Sequence, residues 1–232
     1  MNSLSDRSIP SSFADLASLL ADRRRAAMLL ALMDGRALTA TELAAESEIA
    51  ASTASGHLSQ LVAGGILDVV KQGRHRYFRL RDAQTAAAIE TLMGLSARAH
   101  GAGCATGPDD SALRYARVCY DHLAGTCGVR LLQRLCEATY LVADSTGLRL
   151  TEPGLAWCRT IGVDTAPWQG QRRAACRHCL DWSERRMHLA GALGAALLQR
   201  LLDLGHLQRQ SQGRALRIDA AGERFIDTLA LP

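Results

Sequence analysis

The sequence lacks a long apolar run, a basic leader followed by an apolar segment, and any cysteine before residue 104. Its longest weakly polar stretch, residues 189–198, is much shorter than the roughly 20 residues that a membrane helix needs. Residues 1–12 are polar and do not have the pattern of a secretory signal. We therefore expect no transmembrane span, no membrane partner and a cytoplasmic location.

Sequence motifs of common enzyme classes are also missing. There is no phosphate-binding loop, no dinucleotide fingerprint and no nucleophile elbow. The 232 residues, 48% hydrophobic and 22% charged, are typical of a folded protein with one large domain or two small ones. A net charge of +4 permits a polyanionic partner without requiring one. In a reducing compartment the seven cysteines favour ligand or redox chemistry over disulfides.

The first hundred residues carry helical periodicity with clear capping residues. The pattern predicts helices over residues 13–20, 22–35 and 39–46, then a turn and a further helix over residues 52–63. Two short strands, 66–70 and 77–80, follow with a turn at residues 72–74, and Asp82 then caps a long helix. This order predicts a winged helix-turn-helix domain over residues 1–98.

The helix over residues 52–63 has a small, polar outer face without a carboxylate that would repel phosphate. The hairpin turn concentrates basic side chains, as a wing that contacts the DNA backbone or minor groove needs. The predicted DNA contacts are Ser52, Thr53, Ser55, Gly56, His57 and Gln60 on the helix, and Lys71, Arg74, His75 and Arg76 in the wing.

Residues 43–80 resemble the DNA-binding domain of the ArsR/SmtB repressors, with the pattern S-T-x-S-x-H-L carried by Ser52, Thr53, Ser55, His57 and Leu58. Segments beginning at Cys119 (C-Y-D-H-L-A-G) and Cys179 (C-L-D-W-S-E-R-R-x-H-L-A-G) are similar to those of longer regulators of this type. The resemblance implies a homodimer, joined through the first and last helices of residues 1–98. It also implies a repressor that leaves double-stranded operator DNA when an effector binds.

The metal ligands that are usual in that family are missing here. The helix at residues 41–46 has no cysteine, and the long helix after Asp82 has no repeated ligand spacing. We therefore expect no metal sensor of the usual layout, and no cofactor that DNA binding requires.

Residues 99–111 are rich in glycine and alanine and predict a linker to a second domain, residues 112–232. This domain repeats itself: His122-Leu-Ala-Gly recurs as His188-Leu-Ala-Gly, at a displacement of 66. Each copy, about 112–165 and 176–232, predicts the order helix, hairpin, helix, with strands at residues 140–143 and 148–150, and at 207–209 and 215–218. The expected fold is mainly α with small β-hairpins (α+β), in which the two copies are degenerate winged-helix-like repeats.

The helices of this second domain are apolar where the first domain is polar, which favours a core or a ligand pocket and hence a sensor domain. If the repeats are related by a pseudo-twofold, Cys119, His122, Cys179 and His188 approach one another as sulfur and imidazole ligands for a thiophilic metal ion. Cys176 and Cys179 instead have the spacing of a redox pair, with an adjacent arginine that would lower a thiolate pKa.

Three further hypotheses remain open from the sequence. Trp182 beside acidic and basic residues is compatible with a small organic effector, although residues 181–186 are also expected to form a salt-bridged helix face. Cys127, Cys136 and Cys158 are expected to be buried apolar residues. A cysteine-dependent enzyme or a protein-interaction module fused to a winged helix is the alternative to an effector-responsive, sequence-specific regulator.

Overall fold

Helices alternate with two-stranded hairpins through most of the chain in the computed structural model, which describes residues 11–99, 110–144, 147–168, 173–210 and 213–230. The chain forms two compact units, Met1–Thr85 and Ala86–Pro232. The sequence places the end of the first domain at residue 98, whereas the boundary between the compact units lies near the start of the long helix. Residues 100–109 of the predicted linker lie outside the described residues.

The first unit begins with four helices whose starts follow from local capping. They are α1 (Ser11–Leu20), α2 (Arg23–Ala31), α3 (Ala40–Glu46) and α4 (Ala51–Ala63). The Asp22 carboxylate accepts hydrogen bonds from two backbone N–H groups at the start of α2. Thr39 and Glu42 form a reciprocal capping box at the start of α3.

A three-stranded antiparallel sheet completes this unit. Its strands are β1 (Leu38–Thr39), β2 (Leu67–Gln72) and β3 (His75–Leu80), in the order β1-β3-β2. β2 and β3 pair up to Gln72 and His75, so the hairpin is longer than the sequence predicts, and Gly73 turns it with φ 58. The predicted winged helix-turn-helix is thereby confirmed.

The second unit contains two segments that share the order hairpin, helix, hairpin, helix. Two helices of this unit come before the segments. They are α5 (Ala83–Ala99), most of which belongs to this unit, and the short α6 (Ser111–Tyr115). The first segment comprises β4 (Arg117–Cys119), β5 (His122–Ala124), α7 (Thr126–Glu137), β6 (Leu141–Asp144), β7 (Gly147–Leu150) and α8 (Glu152–Thr160). The second comprises β8 (Arg177–Leu180), β9 (Met187–Ala190), α9 (Gly191–Asp203), β10 (Leu207–Arg209), β11 (Leu216–Ile218) and α10 (Ala220–Thr228).

The helix, hairpin, helix order expected for each copy is present in both segments. The hairpins β4-β5 and β8-β9, however, are additional elements that the sequence analysis does not predict. One of them replaces a predicted helix: residues 181–186, expected as a salt-bridged helix face, form the turn between β8 and β9. Asp181 initiates this turn by accepting hydrogen bonds from the backbone N–H groups of Ser183 and Glu184.

One apolar core serves both segments of the second unit. The apolar faces of α7 and α9 contribute Leu131, Leu135, Leu193 and Leu197 to it. Trp157 stacks between the rings of Tyr140 and Phe225, at centroid distances of 5.2 and 6.3 Å. The sequence leaves open whether the apolar faces of these helices form a core or line a ligand pocket, and the structure shows that they form the core. No helix among the described residues is long and apolar enough to cross a membrane.

The cysteines outside the Cys/His set divide by their position on these helices. Cys127 and Cys158 lie in the apolar core, as expected. Cys136 is exposed, and the expectation that it is buried is wrong. Cys136 lies in the last turn of α7, at the margin of its buried face, where the side chain reaches solvent.

Gly125, which precedes α7, gives a test of this packing. Its φ is 81, and a Cβ there would lie 2.4 Å from the Arg114 carbonyl oxygen. Gly205 has a similar φ of 75 but nothing within 4 Å of an added Cβ. We expect Gly205→Ala to lower the free energy of unfolding by the ~1–2 kcal/mol cost of left-handed backbone, and Gly125→Ala to lower it by clearly more. Urea unfolding followed by circular dichroism measures both, and equal losses would contradict the packing described.

Candidate functional site

α4 has one apolar and one polar face. Ala54, Leu58 and Leu61 are buried against the first unit, which turns the remaining residues outward. The predicted contacts Ser52, Thr53, Ser55, Gly56 and Gln60 are exposed, and His57 is half-buried. A Cβ at Gly56 would meet nothing within 4 Å, and the helix carries no acidic residue. A polyanion can therefore approach this face without steric or electrostatic obstruction.

Arg25 on α2 holds two of these predicted contacts in place, and the sequence analysis does not identify it. One of its terminal nitrogens donates to Gln60 Oε1 at 2.7 Å and lies 3.3 Å from His57 Nδ1. Its Nε donates to the Leu19 carbonyl oxygen at 2.7 Å. Nothing distinguishes Arg25 from its neighbours in the run Arg23–Arg25, because the contact joins residues far apart in sequence.

The tip of the β2-β3 hairpin is a basic wing, defined here as Lys71, Arg74, His75 and Arg76. All four residues are exposed. Lys71 and Arg76 are directly opposite each other across the two strands. Like charges at such positions repel each other, and an anion bound between them would remove the repulsion.

The acidic residue nearest to the wing along β2 is engaged elsewhere. Asp68 forms ion pairs with Arg79, at 3.9 Å, and with Arg81, at 3.6 Å. Arg76 lies over the Phe78 ring, 5.5 Å from its centroid. Within the described residues, none of the wing side chains forms an ion pair with a carboxylate, so the positive charge of the wing is directed to solvent.

A buried cluster of two cysteines and two histidines lies in the second unit. Cys119 pairs with His122 across β4-β5, and Cys179 pairs with His188 across β8-β9. The ligand atoms of these four residues all lie within 4.8 Å of one another. The structure thus brings together, on facing hairpins, the two histidines that repeat at a displacement of 66 and the two cysteines that repeat at a displacement of 60.

The two imidazole rings of the cluster face each other. Their Nε2 atoms are 3.1 Å apart, and the rings stack at a centroid distance of 5.0 Å. On the outer side, the His122 Nδ1 lies 3.2 Å from an Asp121 carboxylate oxygen. The His188 Nδ1 lies 3.8 Å from Asp181 Oδ2. The Asp121 carboxylate favours the His122 tautomer with a proton on Nδ1, whereas Nδ1 of His188 has no hydrogen-bond partner among the described residues.

Each of these aspartates is paired with an arginine from the other half of the unit. Arg117 on β4 forms an ion pair with Asp181 at 2.8 Å, and both side chains are fully buried. Arg173, before β8, donates to Asp121 at 2.6 Å in a partly exposed pair. Although burial opposes ionisation, Arg117 and His188 hold the pKa of Asp181 well below its usual range. The Trp182 ring lies 5.2 Å from the Arg117 guanidinium and is thus part of the same packing.

Close contact changes the proton affinities within the cluster. A hydrogen bond with Cys119 lowers the pKa of the Cys179 thiol well below its usual range, helped by His122 and His188. The same hydrogen bond, burial and the Glu90 carboxylate raise the pKa of Cys119. Burial lowers the pKa of His122, but hydrogen bonds with Asp121 and Cys179 outweigh it and raise that pKa.

Cys176 does not join this cluster. It lies in the apolar core, and burial raises the pKa of its thiol to about 12. The expectation that an adjacent arginine lowers the thiolate pKa is therefore wrong for Cys176. For Cys179 the pKa is lowered, but by Cys119 and the histidines. The cluster can hold a metal ion, whereas an exposed thiol pair poised for oxidation is not what the structure shows.

A winged helix-turn-helix with a basic wing and an unobstructed polar helix defines a class of DNA-binding proteins. The family model described as a helix-turn-helix domain matches residues 20–70. The uncharacterized HTH-type transcriptional regulator YdfF of Bacillus subtilis (strain 168) is 40% identical over 210 residues, which cover 90% of this chain and 93% of YdfF. This chain belongs to the family of helix-turn-helix transcriptional regulators.

Solved structures are similar to a smaller part of the chain. HlyU from Vibrio cholerae N16961 is 28% identical and covers 37% of this chain and 91% of its own, with a TM-score of 0.34. The cadmium metal-sensor CmtR from Mycobacterium tuberculosis is 35% identical and covers 34% of this chain and 81% of its own, with a TM-score of 0.30.

The buried Arg117–Asp181 pair predicts a large effect of a small substitution. Asp181→Asn leaves the Arg117 guanidinium buried without its counter-charge, so we expect a loss of about 3–5 kcal/mol in the free energy of unfolding. Asp144→Asn removes the same charge from an exposed pair with Arg149 and should cost less than about 1 kcal/mol. Urea denaturation at neutral pH compares the two variants, and similar small losses would show that the buried pair is not a structural determinant.

Proposed function

We propose that this protein is a sequence-specific transcriptional regulator, a homodimeric repressor that binds double-stranded operator DNA through α4 and the basic wing. An effector acting at the second unit changes its affinity for the operator. The observation that carries the proposal is the combination of a carboxylate-free, exposed helix face with a wing whose cations form no ion pair with a carboxylate of the described residues.

The proposed roles follow from where each group lies. The exposed Ser52, Thr53, Ser55 and Gln60 side chains are short donors and acceptors that can reach base edges in the major groove. His57 and Gln60 are presented by Arg25, which fixes their position on α4. The wing arginines are placed to contact phosphate or the minor groove, which positions the protein rather than selecting a sequence.

Exposed apolar side chains support the homodimer. Phe13 and Leu16 on α1 are 66% and 39% exposed, and Leu92 and Leu95 on α5 are 47% and 48% exposed. Large apolar residues grouped on a helix surface mark association sites. These are the first and last helices of residues 1–98, through which the ArsR/SmtB resemblance implies that the dimer forms.

The second unit supports a sensing role rather than a second DNA-binding role. We interpret its two helix, hairpin, helix segments as degenerate winged-helix-like repeats. The helices that follow the Cys/His hairpins, α7 and α9, bury their apolar faces in a common core and so have no polar recognition face like that of α4. What remains distinctive in this unit is the buried Cys/His cluster.

A cysteine-dependent enzyme is the alternative that the cluster itself raises. Cys179 lies beside two imidazoles that help lower the pKa of its thiol, as in a nucleophile, but it is only 6% exposed. A substrate would have to enter the packed interior to reach it. YdfF, which is 40% identical, is named as a transcriptional regulator, which points to a protein that is not an enzyme.

The wing can be tested by its effect on salt dependence. We expect Arg74→Ala with Arg76→Ala to weaken binding to operator and random DNA alike, and to reduce the slope of log K against log salt by about 1 for each arginine lost. Fluorescence anisotropy with labelled duplexes measures this. Arg149→Ala, in the exposed β6-β7 hairpin, is the matched control and should leave both quantities unchanged.

The recognition helix should show the opposite pattern. Ser55→Ala and His57→Ala are expected to change the ratio of operator to random-DNA affinity, because base contacts rather than phosphate contacts are lost. Selection of bound sequences from a random duplex pool gives the preference of each variant. An unchanged preference in both variants, or unchanged affinity in the wing variant, would contradict the proposed interface.

The dimer predicts a separate result. Phe13→Asp and Leu92→Asp each place a charge on a surface that we propose is buried between subunits, so both should shift the protein to a monomer. Val142→Asp, at an apolar position 39% exposed on β6, is the control and should remain dimeric. Light scattering after size exclusion measures the mass, and a wild-type monomer at micromolar concentration would contradict the proposal.

A further inference from the structure

We infer that Cys119, His122, Cys179 and His188 form a tetrahedral site for a zinc-type metal ion, and that occupancy of this site is the signal sensed by the second unit. The metal site stands on its own geometry, while the regulatory part rests on the proposed function as a DNA-binding repressor. The inference specifies the chemical class of the effector, which the proposed function leaves open.

The four ligand atoms are already close to the spacing that zinc requires. Zinc binds cysteine sulfur at about 2.3 Å and histidine nitrogen at about 2.0–2.1 Å, which for a tetrahedron separates ligand atoms by roughly 3.3–3.8 Å. Here they lie within 4.8 Å of one another, and the two Nε2 atoms are 3.1 Å apart. Small side-chain movements suffice to close the tetrahedron, because each hairpin supplies one cysteine and one histidine as a cross-strand pair.

The histidine rings are oriented as metal ligands rather than as ordinary core residues. Asp121 lies 3.2 Å from Nδ1 of His122, an arrangement that fixes the tautomer of metal-binding histidines, and Asp181 lies 3.8 Å behind Nδ1 of His188. The two Nε2 atoms are 3.1 Å apart, at the distance of a hydrogen bond that shares one proton. A metal ion would take the place of that proton and accept lone pairs from both nitrogens and both sulfur atoms.

Two glycines at equivalent positions of the two halves make room for the rings. An added Cβ at Gly128 on α7 would lie 3.6 Å from the His188 Cβ and 2.4 Å from the Leu123 carbonyl oxygen. An added Cβ at Gly194 on α9 would lie 3.2 Å from the His122 Cβ and 2.6 Å from the Leu189 carbonyl oxygen. Each half therefore packs its helix against the histidine of the other half, so the same architecture is used twice around one centre.

The donor set indicates which ions fit. Two sulfur and two imidazole ligands in a tetrahedron select zinc and related thiophilic ions over magnesium or calcium, which require oxygen ligands. All four ligands come from the protein, and all are buried, so the site has no open position for a substrate. Both cysteines bind as thiolates, and any proton still on Cys119 or between the rings leaves to solvent when the metal enters.

The α5 helix lies next to this site and approaches residues of both repeats. Glu90 on α5 is 1% exposed, and its carboxylate acts on the Cys119 thiol both through its charge and through a hydrogen bond. One turn further, an added Cβ at Gly94 would lie 3.3 Å from Leu180, the residue after Cys179. Replacing a thiol proton by a metal ion changes the charge next to Glu90, so α5 is the element that responds directly. It follows β3, the second strand of the wing, after two residues.

Metal binding is tested first without DNA. Full-length protein freed of metal by a chelator under reducing conditions is titrated with Co²⁺ and then Zn²⁺. We expect tetrahedral cobalt absorption with thiolate charge transfer, one ion per chain by native mass spectrometry, and displacement of Co²⁺ by Zn²⁺. Cys119→Ser and Cys179→Ser should lose the signal while keeping the far-ultraviolet dichroism of a folded protein. Cys136→Ser and His178→Gln, which change a thiol and an imidazole outside the cluster, should keep it.

Regulation is tested by operator affinity with and without Zn²⁺. We expect the affinity to change by roughly 5- to 150-fold, the range of ordinary allosteric coupling. Glu90→Gln should bind one Zn²⁺ per chain but show a smaller fold-change, since it removes the charge and retains the shape. Cys119→Ser should show no zinc-dependent change.

Two results would overturn the inference, and a third would contradict the proposed function instead. Absence of stoichiometric metal in the wild-type protein, or equal binding by Cys119→Ser, eliminates the site. Stoichiometric binding with unchanged operator affinity eliminates the sensing role and leaves a structural metal. Failure to bind any operator both with and without Zn²⁺ contradicts the proposed function, without affecting the metal titration.

Discussion

The Asp181 carboxylate holds the two halves of the second unit together. It accepts a hydrogen bond from the Gly125 backbone N–H, at 2.7 Å, where α7 of the first half begins. It pairs with the fully buried Arg117 of β4, and it initiates the β8-β9 turn through Ser183 and Glu184. A carboxylate taken out of water is stable only with such a complete set of partners. The register of one hairpin against the other depends on this single group.

The Cys/His cluster is a consequence of that register. Once the hairpins face each other, the cross-strand pairs Cys119 with His122 and Cys179 with His188 converge at one point. The apolar core alone would not produce this convergence, because burial is not directional. The two halves are not identical, however: the Asp121–Arg173 pair on the other side is partly exposed, whereas Asp181–Arg117 is fully buried.

The first unit could be predicted in detail because its signals are local. Asp22 and Thr39 cap the predicted helices, Gly73 turns the predicted hairpin, and the outward face of α4 follows from helical periodicity. The contact of Arg25 with His57 and Gln60 could not be predicted, since it joins residues more than 30 positions apart. The same holds for Glu90 beside Cys119.

In the second unit, sequence repetition predicted which residues meet but not how they are held. The strands of β4-β5 are three residues long, and the spacing of Cys119 and His122 suits a helix as well as a two-residue turn. The turn requires Tyr120 at φ 60, which a non-glycine residue seldom adopts, so no turn signal was visible. Cys136 and Cys176 were misplaced for a related reason, because a cysteine carries little information about which side of an element is buried.

The proposed sensing role of the second unit requires that the two hairpins form one metal centre. X-ray absorption spectroscopy of the zinc-loaded, full-length protein tests it most directly, because the method counts the ligands around the ion. The structure predicts two sulfur neighbours at about 2.3 Å and two nitrogen neighbours at about 2.0–2.1 Å, with the multiple-scattering pattern of imidazole. A shell of oxygen and nitrogen alone, or one with more than two sulfur atoms, would contradict it.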